Sequence, residues 1–209
     1  MNDPLLQSIV DELVASHGAH TIVLYGSRAD GSASAGSDYD IAAFAAIERA
    51  TRITRPVGDT FLDVFIYPEG QLETTPVEFL KLVGGRVLVE RDDAGRRLVE
   101  RADRLLQAGP EPLPPDERRA LQDWARKMLV RMQRGDAEGH YRRAWLLMEL
   151  LPDYFQLRGL WYRGPKKSFA WLAGHDPVAH AAFLAALTPG APDEAIRALV
   201  DAVLSGQTD

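Results

Sequence analysis

The sequence predicts an α/β (α+β) domain built on a small mixed sheet, followed by an all-α helical bundle. Three observations carry that expectation. Strand and helix patterns alternate before residue 109, every strong apolar period after residue 115 is helical, and a proline-rich stretch separates the two. In that stretch, Gly109-Pro110-Glu111-Pro112-Leu113-Pro114-Pro115, each proline lacks a backbone donor and biases its predecessor away from helical angles. The expected organisation is therefore a first domain over 1–108, a linker over 109–115 and a helical bundle over 116–209.

Within the first domain, Leu5 to Ala15 has the spacing of an amphipathic helix, and Thr21-Ile22-Val23-Leu24-Tyr25 reads as a short buried strand ended by Gly26. Asp38 to Phe44, Phe61 to Tyr67 and Arg86 to Val89 read as three further strands, Pro76 to Val83 as a helix, and Asp93 to Ala108 as a helix leading to the linker. Beyond the linker, Leu121, Trp124, Ala125, Met128, Leu129 and Met132 fall on one helix face that must be buried. Tyr141 to Leu157 is apolar around most of its circumference, so it reads as a central helix with a kink at Pro152. Ser168 to Ala173, Val178 to Leu187 and Pro192 to Leu204 complete a bundle of five.

Composition excludes several classes. The chain has 209 residues, 46% hydrophobic and 26% charged, which suits cored domains rather than disorder or a coiled coil. No apolar run reaches the ~18 residues that a membrane span needs, and the start carries Asp3 rather than a basic region before an apolar one, so no membrane role and a cytoplasmic location are expected. With no cysteine, any metal must sit on oxygen or imidazole. The formal charge of −6 argues against bulk nucleic-acid binding. That charge is uneven, with 11 basic against 18 acidic residues over 1–114 and 13 against 12 over 115–209.

The informative segment runs from Gly26-Ser27-Arg28 through Gly31 to Asp38-Tyr39-Asp40, with Asp63 following in an otherwise apolar run. Alternation along a strand points Asp38 and Asp40 the same way, about 6 to 7 Å apart. Asp63 would be buried on a central strand, and a buried carboxylate without a partner is costly. Three such acids become tolerable around a cation, and hard divalent ions such as Mg²⁺ prefer oxygen ligands. A glycine turn opening into a helix offers backbone N–H groups to a phosphate, with the Ser27 hydroxyl as a further donor. Singly, these pieces read as a plain turn and a wet strand face; together they point to phosphate chemistry.

Gly26-Ser27, a ten-residue gap, Asp38-x-Asp40 and a third aspartate on a later strand resemble the DNA polymerase β-like nucleotidyltransferase superfamily. Gly26-Ser27-Arg28-Ala29-x-Gly31 with Ser37-Asp38-x-Asp40 is similar to its minimal and antibiotic nucleotidyltransferases, over roughly residues 10 to 90. The resemblance implies a nucleotidyltransferase catalytic domain over 1–108. It implies that Gly26 and Ser27 bind the triphosphate of an NTP, with ATP the expected substrate, and that Asp38, Asp40 and Asp63 hold two Mg²⁺ ions as the catalytic set. The implied reaction moves a nucleoside monophosphate to a hydroxyl acceptor and releases pyrophosphate. The acceptor expected is a small hydroxylated, aminoglycoside-like molecule; a protein acceptor, as in AMPylation of a partner toxin, and a non-catalytic nucleotide-binding module are the alternatives. A homodimer is suggested by the same likeness alone.

Other candidates are more local. Arg28 would approach the triphosphate or tie its short helix to a neighbouring acid. Glu149, in the apolar run Trp145 to Leu151, is the candidate general base, against a salt bridge to Arg142 or Arg143; Asp153 is the second choice. Lys166 and Lys167 sit in a basic turn that opens a helix and would clamp the NTP tail, or simply be solvated. Trp124, Trp145, Trp161, Trp171, Tyr154 and Tyr162 would line a stacking pocket or pack the core. Arg134 to His140 is similar to the Arg-to-His motif of HEPN ribonucleases, but its spacing and glycines match poorly.

Overall fold

The computed structural model describes residues 3–74 and 76–205. They form two compact units, Met1–Ala108 and Gly109–Asp209.

The first unit opens with α1 (Pro4–His17), whose start is fixed by the Asp3 carboxylate accepting from the Leu6 amide at 3.0 Å. Gly18, at φ +63°, ends it in the left-handed conformation that glycine adopts without cost. The strands are β1 (Thr21–Tyr25), β2 (Tyr39–Ala45), β3 (Thr51–Val57), β4 (Thr60–Pro68) and β5 (Arg86–Val89), with the four-residue α2 (Ser27–Asp30) after β1 and α3 (Ala94–Ala108) at the end. Their order across the sheet is β3-β4-β2-β1-β5. Only β2 and β4 run parallel; the other three pairings are antiparallel. The sheet is thus mixed, as the sequence predicts.

One face of the sheet, with Ile22, Leu24, Ile41, Ala43, Leu62, Val64 and Ile66, packs on the buried stripe Leu6, Ile9, Val10 and Leu13 of α1. The other face, with Val23, Ala42, Phe44 and Tyr67, packs on Leu98 and Ala102 of α3 and on Phe79 and Leu82. Phe79 is fully buried, its ring edge-on to those of Phe44 and Tyr67 at 5.9 and 5.1 Å.

Two elements differ from the sequence expectation. Thr51–Val57 forms a fifth strand, β3, that the pattern of TRITRPV does not announce. It lies at the sheet edge, where half its residues face water and Pro56 is tolerated. Pro76 to Val83 is not an α-helix: Val77–Leu82 is a 3₁₀ turn. Held between Pro76 and Gly84-Gly85, six residues are too few to repay helix nucleation.

The second unit is all-helical: α4 (Pro115–Met132), α5 (Ala137–Leu157), α6 (Pro165–His175), α7 (Pro177–Leu187) and α8 (Asp193–Leu204). Asp136 and Asp176 cap α5 and α7 through the amides of Gly139 and Ala179, at 2.8 and 2.9 Å. Met128, Leu146, Leu150, Tyr154, Phe183 and Leu199 fill the core. The Arg158 guanidinium donates to the carbonyls of Tyr154, Ala202 and Val203, clipping the end of α5 to α8. α5 runs through Pro152 without interruption. No helix among the described residues is long and apolar enough to cross a membrane.

Phe79 tests the packing of the second sheet face. Phe79→Ala is expected to destabilise the protein by about 3 to 5 kcal/mol, read from the shift of the denaturant midpoint at constant slope.

Candidate functional site

The parallel pairing of β2 with β4 sets Asp40 directly beside Asp63 in register. In-register neighbours point to the same face, and adjacent strands lie about 5 Å apart, so the two carboxylates are side by side. They share their face with Tyr25, the register partner of Asp40 on β1, and with Phe65 and Tyr67 further along β4. On β4 the alternation that buries Leu62 and Val64 against α1 leaves Asp63 partly exposed on the opposite face.

Asp40 also fixes the turn after β1. Gly26 sits at φ +69°, and a Cβ built on it would lie 2.3 Å from Asp40 Oδ2. No other residue fits there without moving the carboxylate. Gly26 caps α2, and its carbonyl accepts from the amides of Ala29 and Asp30, at 3.1 and 3.2 Å. The amides that precede these in a first helical turn have no carbonyl upstream to bind, so Ser27 and Arg28 begin a turn suited to an anion.

Arg28 takes the structural option in a different form from an acid pair. Its Nε donates to the Ser37 carbonyl at 2.9 Å, and its guanidinium stacks 3.9 Å above the Tyr39 ring. The side chain therefore staples the loop that precedes β2. Asp38 lies in that loop, one residue before the strand rather than in it, and is exposed; its Oδ1 accepts from Thr60 Oγ1 at 3.2 Å. Thr60, buried at the start of β4, also donates to the Ser37 carbonyl at 2.8 Å.

The cations beside the acidic pair come from residues that the sequence reading passed over. Arg52 on β3 forks onto Asp63, Nε to Oδ1 at 2.8 Å and Nη2 to Oδ2 at 2.7 Å, with Thr54 Oγ1 at 3.4 Å from Oδ1. The fork, above all its hydrogen bonds, holds the Asp63 carboxyl below its ordinary range. Lys81 from the 3₁₀ turn sits among three rings: its Nζ is 3.8 Å from the centroid of Phe65, 5.2 Å from that of Tyr67 and 5.3 Å from that of Tyr25. It donates to Tyr67 Oη at 2.7 Å. Burial lowers the Lys81 pKa, while Glu78, Asp63 and Asp40 act to raise it. Burial also raises the two tyrosines, helped in both by Asp63, with Tyr67 pushed up to about 12. These hydroxyls remain protonated. Two signals could have found the cations: Arg52 and Thr54 alternate toward one face in TRITRPV, and Lys81 is the lone basic residue in an apolar run.

For a hard dication, the oxygen donors of Asp38, Asp40 and Asp63 are of the right chemistry. In the present arrangement, though, both oxygens of Asp63 are engaged by Arg52. Among the described residues no three acidic or histidine side chains are gathered closely enough to hold an ion. The positive charge that the acidic pair demands is supplied here by the protein.

The remaining candidates belong to the second unit. Glu149 forms neither of the alternative salt bridges: Arg142 pairs with Glu138 at 3.2 Å, and Arg143 with Asp193 at 2.8 Å. Glu149 instead accepts from Trp145 Nε1 at 3.3 Å. Asp153, one turn further on, is 8% exposed. Lys166 is exposed and Lys167 half-buried in the first turn of α6. Of the tryptophans and tyrosines, Tyr154 is core, Trp171 stacks on His175, and Trp124 and Trp145 meet edge to face at 5.6 Å.

No protein family matches the chain by sequence, and no curated protein does. Among solved structures, the chain is similar to the crystal structure of a nucleotidyltransferase-like protein from Exiguobacterium sibiricum 255-15. The identity is 14%, the match covers 97% of this chain and 74% of that chain, and the TM-score is 0.44. A likeness of that size carries no argument about activity.

The Gly26–Asp40 contact gives a direct prediction. Gly26→Ala combines a disfavoured φ with a steric clash, so it is expected to cost about 2 kcal/mol or more of stability, measured by denaturant unfolding.

Proposed function

We propose that this protein is a nucleotidyltransferase that moves a nucleoside monophosphate from an NTP, with ATP as the nucleotide to test first, to a hydroxyl acceptor, releasing pyrophosphate. The observation that carries the reading is the in-register Asp40–Asp63 pair, with Asp40 packed onto the Gly26 turn. It supports a phosphate-handling centre because a negative pair next to a turn of unpaired amides suits a polyphosphate bound with its counterions.

In this reading the amides of the Gly26-Ser27 turn and the Ser27 hydroxyl bind the phosphate tail, and Arg28 keeps the adjoining loop in place. Mg²⁺ is the cofactor; Asp38, Asp40 and Asp63 would hold it, Asp63 only when not engaged by Arg52. Bound there, it would offset the carboxylates and polarise a phosphoryl oxygen. Lys81 and Arg52 contribute positive charge on the same face.

The acceptor we favour is a small hydroxylated, cationic molecule of the aminoglycoside type, because the first 114 residues carry 18 acidic against 11 basic residues. Incubation with ATP labelled at the α-phosphate, Mg²⁺ and an aminoglycoside panel is expected to move label to the small molecule and release pyrophosphate. Label appearing instead on a protein band from a lysate would redirect the reading to protein AMPylation. Asp40→Asn is expected to lower turnover by about three orders of magnitude or more. Binding of ATP with no transfer to either acceptor class would leave a nucleotide-binding module and end the enzymatic reading.

A further inference from the structure

The second unit holds a groove that the nucleotidyl-transfer reading does not use. It is an open groove of about 330 Å³ lined by Leu121 and Trp124 of α4 and by Trp145, Glu149 and Asp153 of α5. Residues 145, 149 and 153 recur every fourth position, which puts them on one face of α5. Trp124 and Trp145 meet edge to face and wall the groove with aromatic surface. The Trp145 indole N–H holds the Glu149 carboxylate beside that wall.

Asp153 is the unusual member. It is 8% exposed, yet among the described residues it has no hydrogen-bond or ion-pair partner. Burial raises its carboxyl to about 7, and the neighbouring Glu149 adds to the shift. The arginines of α5 are committed elsewhere, and Arg118 of α4 donates to the Leu157 carbonyl at 3.1 Å. Arg143 is bound to Asp193 and the Ala191 carbonyl. Arg142 is paired with Glu138, its guanidinium 5.8 Å from the Trp145 ring centroid. A carboxylate largely withdrawn from water, with no cation beside it, is retained at a cost.

The chemistry of the groove selects its occupant. Two carboxylates repel an anion. Two oxygen-bearing side chains among tryptophans do not make a site for a hard metal ion, which takes six or more oxygen ligands. An organic cation satisfies both parts at once, since an ammonium group pairs with the carboxylates while its apolar body lies against the indoles. We infer that this groove binds a primary alkylammonium group carried on a ring or short apolar body. The site is complete within the helical unit, and it stands whether or not the first unit transfers a nucleotide.

Benzylammonium chloride is a suitable probe, with benzyl alcohol as its neutral counterpart. Calorimetric titration of the full chain at about pH 8, where Asp153 is mostly ionised, is expected to show saturable binding of benzylammonium, about ten-fold or more tighter than of benzyl alcohol. Asp153→Asn and Trp145→Ala should each weaken it about ten-fold, and the exposed Glu149→Gln about three-fold. Asp153→Asn should also melt at a higher temperature than the natural protein at the same pH, because an unpaired buried charge has been removed; a purely structural carboxylate would give the reverse. Should Asp153→Asn fail to fold, the Glu149→Gln and Trp145→Ala titrations decide in its place. Equal affinity for the two probes, no saturable binding, or variants that bind as well as the natural protein would overturn the inference.

Discussion

Two like charges stand next to each other because β2 and β4 run parallel and in register. Asp40 faces Asp63 across one strand spacing, an arrangement that disfavours a sheet unless positive charge is brought to it. Arg52 comes from the edge strand on one side and Lys81 from the 3₁₀ turn over the same face. The turn after β1 is bound to the same point, since the Asp40 carboxylate occupies the space that a side chain at position 26 would need. Strand register, turn and cations therefore form one unit. A slip of one residue between β2 and β4 would carry Asp63 into the apolar layer beneath α1.

That arrangement was only partly legible in the sequence. The three central strands of the unit are legible in their apolar runs, and so is the approach of Asp63 to the acids of the neighbouring strand; the pairing of Asp38 with Asp40 by alternation is not what forms, because β2 starts at Tyr39 and the side-by-side pair is Asp40 with Asp63. β3 is not legible, because an edge strand needs only one buried face and TRITRPV mixes charge, threonine and proline accordingly. Missing β3 meant missing Arg52, and so the Asp63 partner. Three acids read from sequence alone call for an external dication; in the fold a guanidinium reaches Asp63 from an edge strand that the pattern does not mark. Lys81 was hidden for a related reason: a helix over Pro76 to Val83 gives no cause to direct one lysine at the sheet, whereas the short 3₁₀ turn puts it among Tyr25, Phe65 and Tyr67.

The helical unit was more legible, since the 3.6-residue period is long and repeated there. Its five helices fall where the apolar stripes place them, and Pro152 does not end α5. The period also marked Glu149 and Asp153 as acids on an apolar helix. It gave no indication that the nearby arginines would be drawn to Glu138 and Asp193, leaving Asp153 buried without a cation. Apolar patterning locates a core well; which ions pair is decided by three-dimensional neighbours that sequence spacing does not contain.

The acidic centre of the sheet is tested most directly by the carboxyl-carbon NMR shift of Asp63, followed through an acid titration in the natural protein and in Arg52→Gln. With Arg52 forked onto it, Asp63 must titrate below the ordinary 3.8 and move upward in the variant. A titration at or above 3.8 that ignores the substitution would contradict the paired arrangement of β3, β4 and β2 described here.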